Sequence, residues 1–385
     1  MALIPQSTMN PSATNLTIVR ERLGKSQKEV AVRLGISASL VSKWENGERK
    51  PDDSQWWELA RLFGVTASFL QNEQPAVHFR PRSQVARNSS DKCELGVALN
   101  DAAQQIQSLH EAWVMAGLTP QRFPLTMEFS DPMLPSLAAT VRSFLGLNEK
   151  TAYAELREAL AERNVQVFEW KLPPKLSGLS FQRDFSVIFI NENMPPQVKL
   201  FTLCHELAHL IFHLREGNET EVSVMASRND PLEKEANHFA AELLMPAKKV
   251  DVLVKAEGTK LRQKACFFEA VDRFGVSPGA MFYRLSQHPW QVVNYATKAD
   301  LFVEKPRVEA ELPGARVTEP KQQVASELLK AASDLWQQGK VSMGKVAEWC
   351  MTARSKMDAY LVTQVDYDQP VDDVDLGYAE VDGIK

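Results

Sequence analysis

Between Asn15 and Leu70, apolar residues recur at three- and four-residue intervals in short runs broken by Gly and Ser, a pattern that predicts five short helices. Leu16, Ile18, Val19 and Leu23 line the first, which stops near Gly24. Ser26 and Glu29 have the spacing of a capping box and open a second, with Val30, Ala31 and Leu34 inward and Gly35 as its end. Ser37 caps a third, which buries Leu40, Val41 and Trp44, points Ala38, Ser39, Ser42 and Lys43 outward, and closes at Gly47. Two helices joined by a short Gly-containing turn, the second with a small-polar and basic outer face, describe a helix-turn-helix. Residues 1–14 carry no such pattern and are expected to be a disordered N-terminus.

Beyond residue 72 the periodicity breaks. Pro75, Pro81 and a Ser/Asn cluster, with Arg80, Arg82, Arg87 and Lys92, read as a linker. A helical pattern returns from Glu94 to Leu118, so residues 73–132 form a linker and connecting helix. Helices are then expected over Leu137–Phe144 and Tyr153–Glu162, and strands over Val165–Leu172, Gly178–Phe181 and Ser186–Asn191, where β-branched and aromatic residues concentrate. Two strongly helical stretches follow, Phe201–His213 and Leu232–Pro246. Residues 302–321 are rich in Pro and charge and read as a linker; Val324–Gln337 and Ser342–Ala359 read as helices. Asp366–Asp382, with seven acidic residues and no basic one, reads as a solvated tail. The fold class is mainly α, of the α+β kind. It comprises a DNA-binding unit at 15–72, a helical unit with a small sheet at 133–290, and a helical extension with an acidic tail at 291–385.

Composition changes this picture little. Apolar content is 44%, charged content 24% and net charge −5, so any nucleic-acid contact has to come from a local patch. The segment to Asn72 holds nine Lys/Arg against seven Asp/Glu, which is only weakly basic. Cys93, Cys204, Cys266 and Cys350 are scattered with no CxxC pair, which reads as reduced thiols with neither a disulfide framework nor a Cys-ligated metal. No signal-like segment and no apolar run of about 20 residues occurs, so a cytoplasmic, membrane-free protein is expected.

The chemistry concentrates in FTLCHELAHLIFH. His205 and His209 are four residues apart, which puts both imidazoles on one helical face, close enough to share a metal ion. Glu206, beside the first His, is placed to take a proton from a metal-bound water. A zinc site of this kind needs a third protein ligand. His213 lies on the same helix without a Gly turn to bring it back, so it is expected to act behind the ligands or at the helix end. In LEKEANHFAAELLMP, Glu233 shares a face with Ala236 and Ala240, whose small side chains let two helices approach. Glu233 is therefore the favoured ligand and Glu235 its rival, with Asn237 set to orient a ligating His and His238 without a role. The preceding sheet offers an edge strand on which a peptide can lie extended.

Two resemblances organise these readings. SQKEVAVRLGISASLVSKWENGERKP is similar to the helix-turn-helix of Xre/Cro-type repressors. That likeness implies that Ser37 to Glu45 enters the major groove of an operator duplex, with Ser37 at its start and Gln27 anchoring the preceding helix near the backbone. Ser39, Ser42 and Lys43 would read base edges, and Arg49 and Lys50 would contact phosphates. Ala38 stands where many relatives carry Gln, so adenine readout at that position is expected to be missing. The second resemblance covers roughly residues 136–287 through FTLCHELAHLIFH, ANHFAAELLMP, SVIFIN and DRFGVSPGAMFYRL, and is to the ImmA/IrrE metallopeptidases. It implies a gluzincin-like Zn2+ site with His205, His209 and Glu233 as ligands and Glu206 as general base; Tyr283 is the candidate oxyanion donor.

The family likeness further implies a protein substrate, either a helix-turn-helix repressor or a toxin partner. Cleavage would belong to a stress, prophage or defence response, with single-stranded DNA as a candidate signal and a homodimer on paired half-sites. The rival expectation is a transcriptional repressor or antitoxin of a toxin-antitoxin pair, whose peptidase fold senses or binds without cutting. What residues 291–385 do is not legible in the sequence.

Overall fold

The computed structural model describes residues 11–72, 89–148, 150–174, 176–214, 230–290, 292–294, 298, 301, 322–323, 326–350, 354 and 357. Of the linker expected at 74–92, residues 74–88 lie outside these residues while 89–92 already belong to a helix; the linker expected at 302–321 and the acidic tail also lie outside them. Five helices open the chain: α1 (Pro11–Arg22), α2 (Gln27–Leu34), α3 (Ala38–Glu45), α4 (Asp53–Phe63) and α5 (Ala67–Gln71). They are followed by α6 (Ser89–Met115), α7 (Leu134–Leu145) and α8 (Tyr153–Ala161). The strands β1 (Val165–Trp170), β2 (Gly178–Gln182) and β3 (Ser186–Asn191) precede α9 (Pro196–Ala208), α10 (Pro231–Leu244), α11 (Ala247–Glu257), α12 (Lys264–Phe274) and α13 (Pro278–Ser286). A two-residue strand β4 (Gln322–Gln323) and the helices α14 (Ser326–Gln337) and α15 (Met343–Trp349) complete the described strands and α-helices. No helix among the described residues is long and apolar enough to cross a membrane.

Caps set the helix-turn-helix. The Ser26 hydroxyl accepts from Glu29 N at 3.2 Å while the Glu29 carboxylate accepts from Ser26 N at 2.7 Å, closing the reciprocal box that starts α2. Ser37 Oγ accepts from Leu40 N at 3.2 Å and starts α3. Val30, Val41 and Trp44 fill the space between the two helices. The start of α1 differs from expectation: the chain is already helical from Pro11, inside the stretch expected to be disordered, because proline's fixed φ suits a first helical turn.

The sheet has the order β2-β3-β1-β4, with β1 parallel to β3 and the other pairs antiparallel. Alternation splits its side chains between two cores. Phe168 of β1, Leu179 and Phe181 of β2 and Val187 and Phe189 of β3 join one core with α6, the helix-turn-helix, α14 and α15. Val165, Val167, Ile188 and Ile190 point the other way into the core made by α7 to α13. One thin sheet therefore serves as a wall common to both halves of the chain.

The 27-residue helix α6, about 40 Å long, holds the first half together. Its Gln104 accepts from Thr66 N at 2.9 Å, its Asn100 accepts from Arg22 at 3.1 Å, and its Gln105 amide donates to the Glu348 and Trp349 carbonyls of α15 at 3.4 Å. Gly96 is where α6 crosses α1 most closely: a Cβ there would sit 2.2 Å from the Arg22 carbonyl oxygen. Gly96→Ala therefore has to push the helices apart. Overpacking of this kind costs about 1–3 kcal/mol. The thermal midpoint of the helix-turn-helix should fall accordingly, and an unchanged midpoint would show that the crossing yields freely.

Candidate metal centre and nucleic-acid face

A buried charge cluster fixes α9 before its histidines. Lys199 Nζ meets Glu169 Oε2 of β1 at 2.6 Å, with Arg157 of α8 3.8 Å from the other carboxylate oxygen. One turn and a half later come His205 and Glu206, and the helix then widens into a π-turn over His209–His213, closed by Leu214 N donating to the His209 carbonyl at 2.9 Å. The carbonyls released by this widening find donors elsewhere: Leu210 and Leu214 accept from the Gln182 amide of β2, and Ile211 accepts from Met127 N. Leu214 also accepts from Arg122.

Ala236 and Ala240 of α10 are fully buried against this region, and Glu233 projects from the same helix. His205 Nε2, His209 Nε2 and the Glu233 carboxylate converge: the imidazole nitrogens are 3.1 Å apart, and the carboxylate oxygens lie 3.3 Å from His205 and 3.5 Å from His209. These three groups form a candidate metal cluster among the described residues. Zn–N and Zn–O bonds of roughly 2.0–2.1 Å at tetrahedral angles place ligand atoms about 3.3–3.4 Å apart, so the three side chains fit that ion. Two neutral imidazole lone pairs aimed at one point also repel unless a cation lies between them. Behind His205, Nδ1 is 3.1 Å from Asn237 Oδ1, which fixes the ring with Nε2 free for the centre.

Glu206 is 2% exposed. The Ser180 hydroxyl of β2 donates to its Oε2 at 2.8 Å, and a Cβ on Gly178 would come within 2.8 Å of Oε1. Burial pushes its carboxyl up to about 8, against the lowering pull of His205 and of the Ser180 hydrogen bond. Burial takes His209 down to about 3. For His205 burial disfavours the imidazolium, but the hydrogen bond with Glu233 and the charges of Glu206 and Glu233 hold its pKa above the ordinary value. Burial likewise opposes ionisation of Glu233, and its hydrogen bonds with His205 and His209 outweigh this and hold it well below the usual carboxylate range.

The rival Glu235 stands elsewhere. Its Oε2 is 3.1 Å from His213 Nε2, and His213 Nδ1 is 2.8 Å from His209 Nδ1. Tyr283 lies on α13 and is 41% exposed. His238 is paired with Asp131 at 3.3 Å. Among the described residues β2 is an edge strand, but all five of its residues are buried, so the edge expected to receive a peptide is covered. Ser180 and Gly178 escaped the sequence reading. The small and polar series Gly178, Ser180, Gln182, set against Leu179 and Phe181, is the signal that one face of β2 turns toward a polar site.

On the helix-turn-helix, Ser37, Ser39, Lys43, Arg49 and Lys50 are exposed and Ser42 is half-buried, so the outer face of α3 is open. Ser37 also spends its oxygen on the cap of α3. Gln27 is half-buried, and its amide donates to Glu45 Oε2 at 2.8 Å, which ties α2 to α3. That bond uses one of the two N–H donors of the amide, so the second is left for a DNA phosphate without releasing Glu45.

Residues 16–70 match the helix-turn-helix family, and residues 160–286 match Peptidase_M78, described as the IrrE N-terminal-like domain. "Uncharacterized immunity region protein 2" of Bacillus phage phi105 is 32% identical over 84 residues, which cover 22% of this chain and 53% of that protein. The chain thus spans about half the length of the curated relative it matches. This chain therefore joins an Xre-type helix-turn-helix domain to an ImmA/IrrE-like domain of the M78 peptidase family.

Proposed function

We propose that this chain is a DNA-binding regulator whose zinc-dependent endopeptidase site cleaves a repressor or partner protein in a stress, prophage or defence response. The observation that carries this reading is the convergence of His205, His209 and Glu233 at tetrahedral spacing with the Glu206 carboxylate alongside. Zinc, when bound, supplies Lewis acidity to a scissile carbonyl and to a water. The protein does the rest. The two Nε2 atoms and the Glu233 carboxylate hold the ion, and Asn237 keeps His205 in the tautomer that can bind it. Glu206 takes the proton of the attacking water and returns it to the leaving nitrogen; its burial favours the protonated form it passes through. Ser180 keeps that carboxylate in register through its hydrogen bond. The open face of α3, with Lys43, Arg49 and Lys50, binds operator DNA and brings the peptidase to its regulatory locus.

The burial of Glu206, His209 and all of β2 favours a second reading. In it the chain is a transcriptional repressor or antitoxin, and the peptidase fold senses or binds a partner without cutting. Glu206→Gln separates the two. The amide keeps an oxygen for the Ser180 hydroxyl and leaves the metal ligands untouched, so zinc content and operator affinity should match wild type. Cleavage of the partner should fall by about 10²- to 10⁴-fold, the usual contribution of a general acid–base group. Unaltered partner processing and regulation in this variant would favour the second reading.

A further inference from the structure

We propose that His213 and Glu235 form a positioning relay behind the metal centre, fixing the tautomer of His209 and setting how strongly the site holds its ion. The inference rests on the zinc reading of the site. The π-turn brings the His213 ring alongside His209, with centroids 4.8 Å apart. With His209 Nε2 turned to His205 and Glu233, its proton sits on Nδ1, from which it donates to His213 Nδ1 at 2.8 Å. His213 then carries its own proton on Nε2 and donates to Glu235 Oε2 at 3.1 Å. Each step fixes the next, so a neutral, metal-binding His209 is compatible with only one proton arrangement along this line.

The relay ends on a full negative charge. The carboxylate of Glu235 pulls the shared protons toward itself and makes the His209 Nε2 lone pair a stronger donor. Among the described residues, His205 is backed by the neutral amide of Asn237. His213 is itself excluded from the ligand set, since the atoms that converge belong to His205, His209 and Glu233. The His213 side chain is 4% exposed and that of Glu235 31%, so the line runs from the centre to the solvent boundary. Glu235, the rival ligand by sequence, thus takes a different task two residues along α10 from Glu233.

The test uses the full-length chain as wild type, Glu235→Gln, His213→Leu, His213→Asn and the His213→Asn/Glu235→Gln double variant. Zinc affinity is read by competition with a chromophoric chelator, and the visible absorption of the cobalt(II)-loaded protein reports ligand-field strength. Glu235→Gln and His213→Leu should each weaken zinc about 10- to 100-fold and shift the cobalt bands. His213→Asn should recover part of the loss, because its amide oxygen still accepts from His209 Nδ1, and adding Glu235→Gln to it should cost little more. Glu235 sits at the boundary, so its variant keeps the fold and the comparison stays informative. Wild-type affinity and an unshifted cobalt spectrum in Glu235→Gln and His213→Leu would overturn the relay alone. Failure of the wild type to take up either metal would overturn the zinc reading and the relay with it.

Discussion

Glu233→Ala should yield a chain that purifies without zinc, whereas Glu235→Ala at saturating zinc should still carry about one equivalent. Glu233 brings the single negative charge to a centre otherwise made of two neutral imidazoles, and its two oxygens face both of them at 3.3 and 3.5 Å. Without it the ion keeps two nitrogen ligands on one helix, too few for a site of this kind. The loss should exceed the roughly 10- to 100-fold that changes behind the ligands produce. Stability follows binding, since zinc at 100 times its dissociation constant contributes about 2.7 kcal/mol to the form that holds it. The wild type should therefore melt lower after treatment with a chelator, while Glu233→Ala should melt at one temperature with and without it. Elemental analysis and thermal melts check both statements. Full zinc occupancy in Glu233→Ala, or its loss in Glu235→Ala, would reassign the third ligand.

Glu45→Ala should unfold or severely weaken the helix-turn-helix. Arg20 of α1 makes a forked pair with Glu45, Nε to Oε1 at 2.6 Å and Nη2 to Oε2 at 2.9 Å, and Gln27 of α2 adds a third bond to the same carboxylate. Both charged side chains are at most 10% exposed. Removing the acid leaves the Arg20 guanidinium buried with the Lys25 carbonyl and the solvent-facing Glu21 as its remaining partners. Breaking a buried pair from one side costs about 3–5 kcal/mol, against the roughly 5–15 kcal/mol that holds a whole domain together. Operator binding should fall with the folded population, and Glu45→Gln, which keeps two acceptor lone pairs, should fall less. Urea unfolding followed by tryptophan fluorescence, with operator binding by fluorescence anisotropy, measures both effects. A loss below about 1 kcal/mol would mean that Arg20 reaches water when Glu45 is gone.

Much of the helix-turn-helix was legible because its boundaries are written in side chains that act locally. Ser26, Glu29 and Ser37 cap within one turn, and no distant residue is needed to interpret them. The strands β1 and β3 were legible for a similar reason, since each is a run of β-branched and aromatic residues buried along nearly its whole length. The meeting of His205, His209 and Glu233 followed from helical spacing and from the small side chains of α10. That His213 stands behind the ligands also followed, from the missing Gly turn, but its bonds to His209 and Glu235 did not. An ordinary helix would stack it four residues above His209 without a defined partner, and HLIFH contains no Gly or Pro to announce that the turn widens. The widening depends on Gln182, Met127 and Arg122, which reach in from elsewhere to satisfy the freed carbonyls. Ser180 was hidden in the same way, because its partner Glu206 lies 26 residues away. The division of the sheet between two cores was also illegible, since period-two alternation shows that a strand has two faces but not what covers them.

That division bears on how such a chain can be cut apart or recombined. Phe168, Phe181, Phe185 and Phe189 form an apolar plate that lies within the IrrE-like segment by sequence and is covered by the half that holds the helix-turn-helix. A fragment beginning at residue 133 and ending at residue 290 would present that plate to water and stick to itself. The two halves are thus inseparable parts at the protein level, however modular they look as domains. A lineage that exchanged the helix-turn-helix would have to carry α6 along with it or find a new lid for those four rings.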